Sequence, residues 1–164
     1  DHGVAILSQR AGLAFDTDVI SDTAPLHSLV QAVLDIEPDL HVLRDPTRGG
    51  LAAALNEIAL SAHVDMSLVE STIPVRPPVR AACELLGLDP LHLACEGTLL
   101  AISPAASAER VLQAMRAHPQ GRAAARIGKV TAKASGTPLV ELQTFLGGLR
   151  IVDWPAGEQL PRIC

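Results

Sequence analysis

Apolar and polar positions follow two periods along this chain. Leu26, Leu29, Val30 and Val33 recur on one helical face, Pro25 suits a first turn, and Asp22 and Thr23 offer capping oxygens, predicting a helix over Pro25–Ile36. Leu51, Leu55, Ile58 and Ala59 repeat the spacing over Gly49–Ala62, the strongest helical segment. Pro77–Leu86 opens on proline and stops at Gly87, and Ala105–Ala117 runs from Ser103-Pro104 to just before Pro119, so both read as helices. Between them lie short strand candidates at Val4–Ser8, His41–Arg44, Val64–Val69, Ala125–Thr131, Leu139–Leu142 and Leu149–Val152. Leu91–Ile102 reads as a strand pair, or as one long strand interrupted at Glu96-Gly97. This alternation favours helices packed against a sheet. After Trp154 the periodicity ends, so residues 1–154 are expected to form one domain and 155–164 a mobile tail.

With 164 residues the chain is long enough for one compact domain, and a domain of that size removes roughly 70% of its unfolded surface from water. Its composition, 48% apolar and 19% charged, is that of an ordinary globular protein. No apolar run reaches the ~18 residues a membrane-spanning helix needs. Asp1-His2-Gly3-Val4 resembles no export signal, and the missing initiator Met suggests a piece of something longer. Thirteen basic against eighteen acidic residues give a net charge of −5, without a basic cluster. Phe15, Phe145 and Trp154 are too few aromatics for base stacking, so nucleic-acid binding is not expected. The same scarcity predicts a core of Leu, Val, Ile and Ala. Three cysteines, Cys83, Cys95 and Cys164, include no Cys-x-x-Cys pair and read as reduced thiols of a cytoplasmic protein. His92 and Cys95 have the spacing of half a zinc site, but no second half exists, so no metal ligands are assigned.

Three segments carry candidate chemistry. Arg44-Asp45-Pro46-Thr47-Arg48-Gly49-Gly50-Leu51 joins a strand candidate to a helix candidate. Glycines there admit a close ligand, N–H groups at a helix start attract anions, Asp45 or Thr47 offers a cap, and Arg48 reaches a phosphate. Taken alone, a simple tight turn with a capped helix explains the segment better than phosphate contact does. In Leu93-Ala94-Cys95-Glu96-Gly97-Thr98-Leu99, a lone glutamate sits among apolar residues. It is either a turn residue or a carboxylate of raised pKa suited to general-base work. The third segment ends in Pro161-Arg162-Ile163-Cys164, where Pro161 stiffens the approach to a thiol free to swing between sites.

Together, Arg44 to Ala52, Glu96-Gly97, His118-Pro119-Gln120-Gly121 and Pro161 to Cys164 resemble the HypE family of hydrogenase maturation factors, in their C-terminal half. Asp1-His2-Gly3 and Ser21 to Leu26 add to the resemblance, which runs the whole length. That family belongs to the aminoimidazole ribonucleotide synthetase-related superfamily. The resemblance implies an α+β fold, a three-layer α/β/α sandwich with a mixed sheet. It also implies an absent N-terminal domain holding most of the ATP and Mg2+ site and forming a homodimer. The implied reaction is a carbamoyl dehydration: a carbamoyltransferase loads Cys164, ATP activates the carboxamide oxygen, and Glu96 serves as base. The resulting thiocyanate supplies cyanide to an iron-carrying scaffold complex for nickel–iron hydrogenase. Asp45, Thr47, Arg48, Gly49 and Gly50 would meet the nucleotide, and Pro161, Arg162 and Ile163 would guide the tail. The family commonly has Asn where this chain has Cys95. The alternatives are half of another superfamily enzyme, such as a selenophosphate synthetase, or a non-catalytic module presenting Cys164.

Overall fold

The computed structural model describes residues 1–12 and 19–154. It opens with a difference from the expected strand at Val4–Ser8, which lies inside helix α1, His2–Ala11. Four consecutive apolar residues cannot distinguish the two periods. The helix places Val4 and Ser8 on one buried face, and the Ser8 hydroxyl donates back to the Val4 carbonyl at 2.7 Å. Helix α2, His27–Ile36, starts two residues later than expected, and neither Asp22 nor Thr23 caps it.

Strand β1, Val42–Arg44, leads into helix α3, Gly50–Ala62, and then strand β2, Val64–Val69. Helix α4, Pro77–Leu86, has the bounds its proline and Gly87 predict. The expected strand over Leu91–Ile102 shrinks to β3, Leu100–Ile102; Pro90–His92 form a 3-10 turn, with Asp89 accepting from the Leu91 N–H. Helix α5, Ala108–Ala117, is followed by strands β4, Gly128–Lys133, β5, Val140–Gln143, and β6, Leu149–Ile151.

Four strands form a mixed sheet in the order β4-β2-β5-β6, with β2 and β5 parallel and the outer pairings antiparallel. β1 and β3 form a separate antiparallel pair, Leu43 opposite Ala101. The period-2 pattern does its work on β2 and β5. Met66, Leu68, Val140 and Leu142 are buried, whereas Ser67 and Glu141, which point the other way, are not. Ala52, Leu55 and Ala59 of α3 join them in the main core, with Leu91, Leu100 and Val152. Buried Asn56 ties α3 to the end of the sheet by donating to the carbonyls of Ala52 at 2.9 Å and Val152 at 2.8 Å. A second cluster joins α1 to α4 through Val4, Val79, Ala82, Cys83 and Leu93. Both clusters are aliphatic but for Met66 and Cys83, as the aromatic-poor composition predicts. α2 and α5 pack on each other, and a cavity of about 820 Å³ opens beside Leu29 and Val111, lined also by Leu55, Met66 and Leu68. Residues 155–164, expected as a tail, lie outside the described residues.

Candidate functional site

The two internal motifs meet although about fifty residues separate them in sequence. The Cys95 N–H donates to the Pro46 carbonyl at 3.0 Å, joining the loop before α3 to the loop before β3. Close packing of Gly50 on Leu91–Leu93 reinforces that junction. Gly49 and Gly50 both have positive φ, 73° and 61°. A Cβ on Gly50 would come within 2.6 Å of the Leu91 and Leu93 carbonyl oxygens. The glycine pair is therefore fixed by backbone shape and by a close neighbour together.

Within the first loop, Asp45 and Arg48 are exposed and Thr47 is half-buried. The expected cap is absent: α3 has Gly49 at its N-cap, and no side chain accepts from its first turn. Its turn closes instead through the backbone, with the Gly50 N–H donating to the Thr47 carbonyl at 3.0 Å. Arg44 pairs with Glu57 on α3, anchoring the strand side of the loop.

Glu96 is half-buried in an irregular segment rather than at a break between strands. The reason is Asp22, whose carboxylate takes the N–H groups that a ladder would have used. One carboxylate oxygen accepts from the N–H of His2 at 2.8 Å and of Glu96 at 3.3 Å. The other accepts from the Gly97 N–H at 3.2 Å and the Thr98 hydroxyl at 3.3 Å. The Asp1 ammonium lies 3.9 Å away. Burial pushes the Asp22 carboxyl up, but the ammonium and the N–H donors of Gly97, Glu96 and His2 outweigh it, holding it below the usual carboxylate range. Gly97 is pressed against this loop so closely that a Cβ would fall 1.6 Å from the Asp22 carbonyl oxygen.

Sequence reasoning assigned Asp22 only a capping oxygen and passed over its role here. The available signal was its place in Ser21-Asp22-Thr23, four residues before the N-cap of α2 and too far upstream to cap it. Cys95 stands beside the site, its Sγ 3.8 Å from both the Asp1 ammonium and the Leu93 carbonyl. His92 turns the other way, with Nε2 3.3 Å from the Asp153 carbonyl oxygen, so the half zinc site does not assemble. Among the described residues no three His, Cys, Asp or Glu side chains converge as a metal site would require. The remaining expected site residues, Pro161, Arg162, Ile163 and Cys164, lie outside the described residues.

The arrangement joins the loop that carries half-buried Glu96 to the loop that carries Arg48 and the Gly49-Gly50 turn at the start of α3. Comparison with known proteins gives it context. Residues 1–141 match the family described as AIR synthase related protein, C-terminal domain. The chain is 60% identical over all 164 residues to the carbamoyl dehydratase HypE of Azotobacter vinelandii, covering 48% of that protein. A crystal structure of the hydrogenase maturation protein HypE in complex with ATP superposes with a TM-score of 0.88 at 50% identity, over 100% of this chain and 50% of that one. A HypE–HypF complex superposes with a TM-score of 0.88 at 41% identity, over 94% of this chain and 50% of that one. The chain thus spans about half the length of the relatives it matches.

Proposed function

The chain belongs to the AIR synthase related family as its C-terminal domain, and from there we propose that it is one half of an ATP-dependent carbamoyl dehydratase. The observation that supports this reading is the backbone bond from Cys95 to Pro46, which joins the loop carrying Glu96 to the loop carrying Arg48, Gly49 and Gly50. The whole protein would convert an S-carboxamide on Cys164 to a thiocyanate. ATP transfers a phosphoryl group to the carboxamide oxygen, so that phosphate, rather than hydroxide, leaves. The nitrogen loses its protons as the carbon–nitrogen triple bond forms and the carbon–oxygen bond breaks. In sum, the carboxamide loses one water, whose oxygen ends in phosphate.

Glu96 would accept a nitrogen proton, the step a carboxylate at an irregular, half-buried turn can perform. Asp45, Thr47, Arg48 and the Gly49-Gly50 turn would face the nucleotide phosphates, Arg48 offsetting charge that develops during transfer. A relative's complex with ATP supports the nucleotide assignment. Mg2+ and most of the nucleotide contacts would belong to the half of the longer relatives that this chain does not cover. A relative's complex with HypF supports a protein partner for the loading step, which the family resemblance makes a carbamoyltransferase. An iron-carrying maturation scaffold would take the cyanide, and the full-length protein would work as a cytoplasmic homodimer.

Intact-mass measurement tests the reading. Full-length protein carbamoylated on Cys164 is expected to lose the mass of one water when ATP is added, and Cys164→Ala is expected to take up no carbamoyl group. If Cys164→Ala still matures hydrogenase, the reading fails, and another synthetase-like member of the superfamily becomes the better answer.

A further inference from the structure

Glu96 can act as a base only if the turn that carries it holds one shape, and that shape has no strand or helix to support it. Its support comes from a residue 74 positions away in sequence. We propose that Asp22 is the positioning residue for Glu96, its carboxylate clamping the backbone of residues 96–98 and fixing where the Glu96 side chain sets out. The inference rests on reading Glu96 as the base.

The geometry is specific to a carboxylate. Asp22 takes two donors on each oxygen: the N–H groups of His2 and Glu96 on one, the Gly97 N–H and the Thr98 hydroxyl on the other. An ionised carboxylate is acceptor-only, with about four lone-pair sites, so those four donors saturate it. An amide of the same shape presents donors on one side, so even with its oxygen kept toward the His2 and Glu96 N–H groups, the Gly97 N–H faces another donor. The side chain is 17% exposed, so water replaces little of what is lost. Gly97 completes the clamp, because only the absence of a Cβ allows its turn to sit against the Asp22 carbonyl oxygen. One carboxylate thus ties together three segments: the start of α1, the Ser21–Thr23 stretch and the Glu96 turn. Thr98 is exposed and contributes only its hydroxyl, so it offers a gentler way to loosen the same clamp.

The test is single-turnover dehydration in the full-length protein, read by intact mass, with kcat and the KM for ATP measured separately. Asp22→Asn is expected to load carbamoyl normally and keep its KM for ATP while losing about tenfold or more in kcat, the scale on which a misplaced catalytic group costs rate. Glu96→Gln, run alongside, is expected to load and then stall. Wild-type kcat in Asp22→Asn beside a stalled Glu96→Gln overturns the positioning role and leaves the base assignment intact. Reduced loading and a raised KM together with a lower kcat also overturn it, since that pattern marks general damage. Wild-type dehydration by Glu96→Gln removes the base assignment, and the inference with it. Should Asp22→Asn not fold, Thr98→Val decides: a few-fold lower kcat at unchanged KM supports the clamp, and wild-type kcat overturns it.

Discussion

Hydrogen bonds to a carboxylate favour its charged form, and at Asp22 the neighbouring ammonium acts with the N–H donors of Gly97, Glu96 and His2 to outweigh the burial that opposes it. The consequence for stability has a definite sign. Because its folded-state pKa is depressed, Asp22 contributes stability that is present in full above its unfolded-state value and is lost as pH falls through the lower folded-state value. The difference in urea midpoint between wild type and Asp22→Asn is therefore expected to stay constant from neutral pH to roughly pH 5, then to shrink below roughly pH 4. A difference that grows on acidification contradicts the assignment. The same residue shows what a sequence can display. Glu96 stood out because a lone carboxylate among apolar neighbours is conspicuous by itself. Asp22 did not, because its meaning lies in contacts with Glu96, Gly97 and Thr98, and no local pattern reports a partner that far along the chain.

Helices were more legible than strands, for reasons visible in particular elements. α3 and α4 carry enough turns for the 3.6-residue period to declare itself, and prolines or glycines mark their ends. α1 offers only Val4 to Leu7 as an apolar run, short enough to suit either period, and its packing on Val79 and Ala82 decides for the helix. The expected strand over Leu91–Ile102 fails because Asp89 and Asp22 capture its N–H groups, an outcome set by tertiary contact. Two glycines at helix ends separate backbone strain from crowding. Gly87, with φ 66°, faces open space: a Cβ there would meet no neighbouring atom within 4 Å, so Gly87→Ala meets only the left-handed strain, about 1–2 kcal/mol. Gly50, with φ 61°, also has the Leu91 and Leu93 backbone within 2.6 Å of where its Cβ would stand. Gly50→Ala is expected to cost at least about 1 kcal/mol more than Gly87→Ala, the usual scale of overpacking, measured by urea unfolding. Equal costs would mean that the junction between α3 and the Leu91–Leu93 segment yields freely.

For the whole molecule the question is whether two cores behave as one. The main cluster holds the sheet to α3, and the second holds α1 to α4. They share one short connection: Leu91 belongs to the first, Leu93 to the second, and Gly50 is seated against both. Unfolding either cluster pulls on that connection and uncovers the packed start of α3. Separate melting would expose apolar surface at roughly 25 cal/mol per Å² without releasing the other half's chain entropy. Residues 1–164 alone are therefore expected to unfold in one cooperative transition, with calorimetric and van't Hoff enthalpies equal. Far-UV circular dichroism and calorimetry are the suitable probes, because the chain has one Trp and no Tyr, and Trp154 is 43% exposed. Two resolved transitions would show that the Leu91–Leu93 segment does not couple the clusters.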